Sequence, residues 1–310
     1  MAAPACCIVY RGDPVLLSYE KAAIIWDPDS KIQHFIRQAS FEGQAKDFGF
    51  IVPTPSKPKV TEASASFFDF LAAYEPMELR KGTESAPRAT GSRGAELIER
   101  YVVGDYEVSV LRAADGASLL DWLKQNDYDS RPAMEEWLDH YAQKKWFFAA
   151  LKFIRTPDSD SPETSAVRVS FMTNKPHYPY KMPADTWPKG HHRPLVLYFL
   201  SPGTVRVNYE GSREPWEADK KWQVKIGRYA STLPKHLKLP NGIFKPNYVI
   251  TQFVNTENAN GYERDLVFET TRQKDARIGN AAFGISIITA LALFVTSLRE
   301  GRGKSKHSAP

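Results

Sequence analysis

Tyr106-Glu107-Val108-Ser109-Val110 alternates apolar and polar side chains at every step. The same two-residue period returns in Val167-Arg168-Val169-Ser170-Phe171, Val205-Arg206-Val207-Asn208-Tyr209 and Trp222-Gln223-Val224-Lys225-Ile226. Successive side chains of a strand point to opposite faces, so this period predicts strands with one face on a core. More continuous apolar runs at Ala22–Trp26, Phe48–Val52, Phe147–Phe153, Leu195–Leu200, Tyr248–Val254 and Leu266–Thr270 predict strands buried more deeply. Helical spacing is rarer. Phe67, Phe68, Leu71 and Tyr74 form one stripe, and Leu119, Trp122 and Leu123 a second, with Asp115 placed to cap it. Met134, Trp137, Leu138 and Tyr141 form a third, with Pro132 at the helix start. The expectation is a strand-rich α+β ectodomain of about ten strands and three short helices, without alternating βαβ units. The 17 Phe, 14 Tyr and 7 Trp suit pleated surfaces.

The 310 residues carry 41 basic and 36 acidic side chains, a formal charge of +5. Arg299, Arg302, Lys304 and Lys306 stand against Glu300 in the last twelve residues, so most of the excess sits in a short tail. A chain that neutralises many phosphates spreads its positive charge over a folded face, which argues against nucleic acid as a partner. Between Arg277 and Arg299 lie 21 uncharged residues. At about 1.5 Å per residue they span roughly 31 Å as a helix, close to the hydrocarbon thickness of a bilayer. A buried core helix is the other reading of such a run, although core helices seldom reach this length without a charge. Residues 278–298 are therefore expected to form a C-terminal transmembrane helix and 299–310 a basic cytoplasmic tail. Residues 6–277 are then an exported ectodomain, with linkers at 80–94 and 156–164, the second a candidate internal boundary. The positive-inside rule places that ectodomain outside the cytoplasm.

Export needs a leader, and Ala3-Pro4-Ala5 has the small-x-small form of a signal-peptidase site, so the mature chain is expected to begin near it. The two cysteines, Cys6 and Cys7, are adjacent. A bond between neighbours closes a strained ring, which leaves a plain mature terminus, lipidation, an intermolecular bridge or metal binding as their roles.

Several blocks together carry a family resemblance. They are Cys6-Cys7, Ile25-Trp26-Asp27, the run from His34 to Gly43, Leu120-Asp121-Trp122-Leu123 and the run from Trp146 to Lys152. The most specific is Asp47-Phe48-Gly49-Phe50-Ile51-Val52-Pro53-Thr54-Pro55-Ser56-Lys57-Pro58. Over roughly residues 6–210 the chain resembles the bacterial family catalogued as domain of unknown function 2330. The resemblance implies an exported envelope protein and no known reaction, so it assigns no catalytic residue. Read physically, its central block is a buried strand with Phe48, Phe50 and Val52 on one face, ending where Pro53 removes a backbone donor. The prolines that follow form either a structural corner or a groove that receives a partner peptide.

Other motifs fail on context. Asp47-Phe48-Gly49 matches a kinase tripeptide without the accompanying glycine-rich and catalytic loops, and Gly303-Lys304-Ser305 lacks the first glycine of a phosphate loop. Arg11-Gly12-Asp13 runs into Pro14 and reads as a turn. Seven histidines are scattered, and the one local cluster sets His177 with His191 and His192 near Asp185. Adjacent strand residues face opposite ways, which opposes joint ligation by His191 and His192.

Two functions follow. The first is a non-enzymatic, single-pass protein of the bacterial inner membrane, with a periplasmic ectodomain. It would be an accessory or structural subunit bracing a larger membrane complex, such as an energy-transducing one, and its partners would be other subunits and the bilayer. Ala282, Ser286 and Ala290 recur every four residues and would let another helix approach closely. The span holds no His, Met or Cys, so no cofactor is expected on it. The alternative is a membrane-tethered, metal-dependent hydrolase using His177, Asp185 and His191.

Overall fold

The alternating and continuous apolar runs fold into sheets whose strands are mostly longer than the runs themselves. The computed structural model describes residues 7–11, 16–42, 47–64, 66–76, 97–104, 106–126, 128, 131–154, 166–184, 194–227, 237–256 and 263–271. The span 278–298, the tail 299–310 and the linkers at 80–94 and 156–164 lie outside them. Among the described residues no helix is long and apolar enough to cross a membrane.

A five-stranded antiparallel sheet joins β1 (Cys7–Arg11), β4 (Asp47–Thr54), β8 (Phe147–Ile154), β7 (Tyr106–Arg112) and β6 (Leu97–Val103) in that order. A seven-stranded sheet runs β13 (Asp219–Lys225), β14 (Tyr248–Asn255), β11 (Leu195–Pro202), β2 (Leu16–Asp27), β3 (Ile32–Glu42), β9 (Val167–Met172) and β5 (Lys59–Glu62). Its β11–β2 pair is parallel. A three-stranded sheet sets β15 (Leu266–Thr271) between β10 (His177–Tyr178) and β12 (Thr204–Tyr209). The helices are α1 (Phe67–Ala72), α2 (Gly116–Gln125) and α3 (Pro132–Ala142). The α+β class and the three helices agree with the sequence reading, while the described residues hold fifteen strands against the ten expected.

The side-chain period explains the layering. Phe48, Phe50, Val52, Tyr106, Val108 and Val110 point from the five-stranded sheet into one core. They meet Ala22, Ile24, Phe35, Val169, Leu197 and Phe199 of the seven-stranded sheet and Val207, Leu266 and Phe268 of the small one. The intervening residues of the five-stranded sheet, Val9, Ile51, Leu111 and Phe148, face the stripes of α2 and α3. On the far side Ile25, Ile36, Tyr198 and Ile250 meet α1 and the segment carrying Leu237, Ile243 and Phe244. Each large sheet is thus covered on both faces. That is why β7 is buried almost throughout although its sequence alternates.

One expectation needs correction. β4 does not stop at Pro53 but pairs with β8 through Thr54. Among the described residues its other neighbour, β1, pairs with it only as far as Ile51, so Pro53 interrupts no described pairing on that side.

Candidate functional site

The end of β9, the turn behind it and β10 build one wall of a surface cavity of about 460 Å³. Met172, Thr173, Asn174, Lys175 and His177 form that wall, and Trp146, Pro55 and Glu210 also line the cavity. Lys31 adds a cation to the lining, as the last residue of the β2–β3 turn, with φ 55°. The Thr173 N–H donates to the Lys31 carbonyl over 2.9 Å, which ties this turn to the end of β9.

His177 is fixed by a reciprocal backbone clamp. Its N–H donates to Gln33 Oε1 over 2.9 Å, and Gln33 Nε2 donates to its carbonyl over 2.7 Å. The ring lies 4.9 Å from Trp146 and 5.4 Å from Phe171, centre to centre. Burial holds its pKa down to about 4, although a hydrogen bond to the Lys175 backbone opposes this. Nε2 is buried and without a partner. The ring is therefore neutral near pH 7 and keeps one nitrogen lone pair uncommitted.

Behind this wall three elements far apart in sequence converge. His140 sits in the last turn of α3, Glu210 follows β12, and Asp265 precedes β15. One nitrogen or oxygen of each lies within 4.8 Å of the other two. Tyr141 Oη and the Lys181 N–H donate to Asp265 Oδ1 over 2.8 and 2.9 Å. Lys144 Nζ donates to Glu210 Oε2 over 2.8 Å and stands 5.1 Å over the Trp146 ring. Burial raises the Asp265 carboxyl to about 6, the two hydrogen bonds working the other way. Burial also lowers His140, with Lys144 and Lys181 adding to it. Glu210 belongs both to this cluster and to the cavity wall.

Of the residues singled out from sequence, His177 lines the cavity, whereas Asp185, His191 and His192 lie outside the described residues. So do Cys6, Ala282, Ser286 and Ala290. Cys7 opens β1, paired with Ile51. The sequence reading passed over His140, Glu210 and Asp265, because no fixed spacing links a helix end to two strand ends.

Two structures of baculovirus P35 are among the solved structures to which the chain is similar. The P35 crystal structure matches with 11% identity and a TM-score of 0.42, over 83% of this chain and 92% of that one. A mutated baculovirus P35 after caspase cleavage matches with 11% identity and a TM-score of 0.36, over 82% and 94%. Likeness at this level says nothing of function. No curated protein matches the chain. The family model for "Uncharacterized protein conserved in bacteria" (DUF2330) matches residues 1–232. It covers the Asp47–Pro58 block and most of both large sheets, and the chain belongs to that bacterial family.

Proposed function

We propose that the chain is a non-enzymatic, membrane-anchored envelope protein that braces the subunits of a larger membrane complex through its ectodomain. The observation that carries this reading is the uncharged run at 278–298 between Arg277 and Arg299, matched in length to a bilayer core. The four basic residues of 299–310 favour a cytoplasmic tail and a periplasmic ectodomain at the inner membrane. The export that the sequence resemblance implies supports the same side. The cavity fits a contact role too. Pro55, Met172 and Trp146 give it apolar surface, and Lys31 and Lys175 would favour a partner segment flanked by acidic residues.

A mild-detergent pull-down from native membranes tests the reading. Wild-type protein should bring down partner subunits, and Ser286→Leu with Ala290→Leu should weaken that recovery while membrane insertion stays the same. Recovery of the chain alone, in stoichiometric isolation, would count against bracing.

A second reading, a membrane-tethered metal-dependent hydrolase, is favoured by the ligand-type side chains beside the cavity. Metal-dependent cleavage of a chromogenic ester by the full chain would select it.

A further inference from the structure

Asp265 is only 2% exposed, yet its two oxygens are treated differently. Oδ1 accepts from Tyr141 and from the Lys181 N–H, while Oδ2 is buried without a partner. His140 Nε2, in the same cluster, is equally cut off from water and from protein partners. A buried polar atom left bare costs roughly 1–3 kcal/mol, so two within one cluster call for an explanation. Holding one carboxylate oxygen with a hydroxyl and an amide while leaving the other open is how proteins orient a metal-ligating carboxylate.

We propose that His140, Glu210 and Asp265 form a binding site for one divalent transition-metal cation of the zinc class, with an open coordination position toward the cavity that Glu210 and His177 line. One imidazole and two carboxylates suit such an ion, and three protein ligands leave a place for water or another donor. Tetrahedral ligands about 2.0–2.2 Å from zinc lie roughly 3.4 Å apart, so the present 4.8 Å spread must close by about 1.4 Å. The Glu210 side chain is 39% exposed beyond the end of its strand, and His140 is only part-buried in the last turn of α3, so both side chains can turn inward. Asp265 is the fixed member. Lys144 is the local competitor, since its ammonium already neutralises Glu210 and must yield part of that contact to the ion. The site serves either reading of the function, because a bound cation can pin α3 to the small sheet or polarise a ligand in the cavity.

The test uses the full chain in mild detergent, stripped with chelator and titrated with Zn²⁺ by calorimetry and with Co²⁺ by visible absorption. One equivalent should bind, with the Co²⁺ bands of a low-symmetry site. Glu210→Gln, on a part-exposed position that should fold normally, should weaken binding at least tenfold, and His140→Ala should do the same. Lys144→Gln should tighten it about tenfold by removing the competing charge, an effect that a merely structural Lys144 would not give. Absence of stoichiometric binding to the wild-type chain would overturn the proposal. So would binding that survives both His140→Ala and Glu210→Gln, since the ion would then sit elsewhere, for example at Cys6 and Cys7 or at His191.

Discussion

At Gly49 the backbone of β4 runs so close to β8 that an added Cβ would lie 2.4 Å from the Leu151 carbonyl oxygen. Nothing flexible stands there to give way, so the glycine of the Asp-Phe-Gly-Phe block is a packing requirement. Gly49→Ala should destabilise by about 2–3 kcal/mol, as over-packing in a core does. Gly211→Ala, with φ +78° but open space around it, should cost only the left-handed penalty of about 1 kcal/mol. Denaturant melts of both variants measure the contrast, and equal losses would show that the close approach is not what matters. His34 makes a second residue-scale case. Its ring bonds Ser170 Oγ over 2.8 Å, and burial, helped by the Arg168 charge, holds its pKa down to about 4 from 6.5. In that interval the unfolded chain binds a proton that the folded chain refuses, so this contribution is full above pH 6.5 and is lost as pH falls toward 4. His34→Gln should remove about 2 kcal/mol of the stability difference between pH 7 and pH 4.5. An unchanged slope in that variant would assign the acid sensitivity to other groups, such as His177, which shifts in the same direction.

The pair α2 and α3 shows what an element's sequence does and does not announce. Asp115 caps α2 as its position implied, accepting from the Ser118 N–H over 2.8 Å, and Pro132 opens α3. Asp115→Ala should therefore lower the midpoint in thermal or denaturant melts, and Asp115→Asn much less, because the amide oxygen can still accept. Loss of the same size in both variants would mean that charge, not the cap bond, carries the effect. Their packing was not legible. Gly116 sits so close to α3 that a Cβ would lie 2.4 Å from the Glu135 carbonyl oxygen, a tertiary fact with no local signature. The same division holds among strands. Those with clear alternation or apolar runs were legible, but β3 was not, because Gln33, Arg37 and Gln38 interrupt it and are nevertheless buried. Arg37 is held inside by Glu20 at 2.7 Å and lies 4.2 Å over the Phe50 ring, and Glu20 also accepts from Tyr178 over 2.8 Å. Such a pair becomes visible only when β2, β3 and β10 are brought together. The candidate site was illegible for the same reason. His177 stood out because other histidines follow it in sequence, whereas its structural neighbours include Trp146 and Glu210.

For the whole molecule, the arrangement of layers bears on what the C-terminal segment does. The described elements end at Thr271, and both large sheets already have each face covered, by each other, by α1 with the segment around Leu237 to Phe244, and by α2 with α3. Among the described residues, neither large sheet depends on residues 278–310 to cover a face. Deleting those residues should thus leave the melting temperature of the ectodomain unchanged and take only the anchor's helical signal from the far-ultraviolet spectrum, while ending the need for detergent. The deletion also removes the basic tail, which carries +3 of the formal +5, so the shortened chain sits nearer neutrality and its solubility should be compared at equal ionic strength. If the truncated chain unfolds, the apolar run belongs to the core and the anchor reading fails. If it folds yet still sediments with membranes, the ectodomain itself holds the bilayer or a resident partner. In that case the cavity between Trp146 and Met172 is the first surface to probe, because it sets apolar side chains beside the cations Lys31 and Lys175.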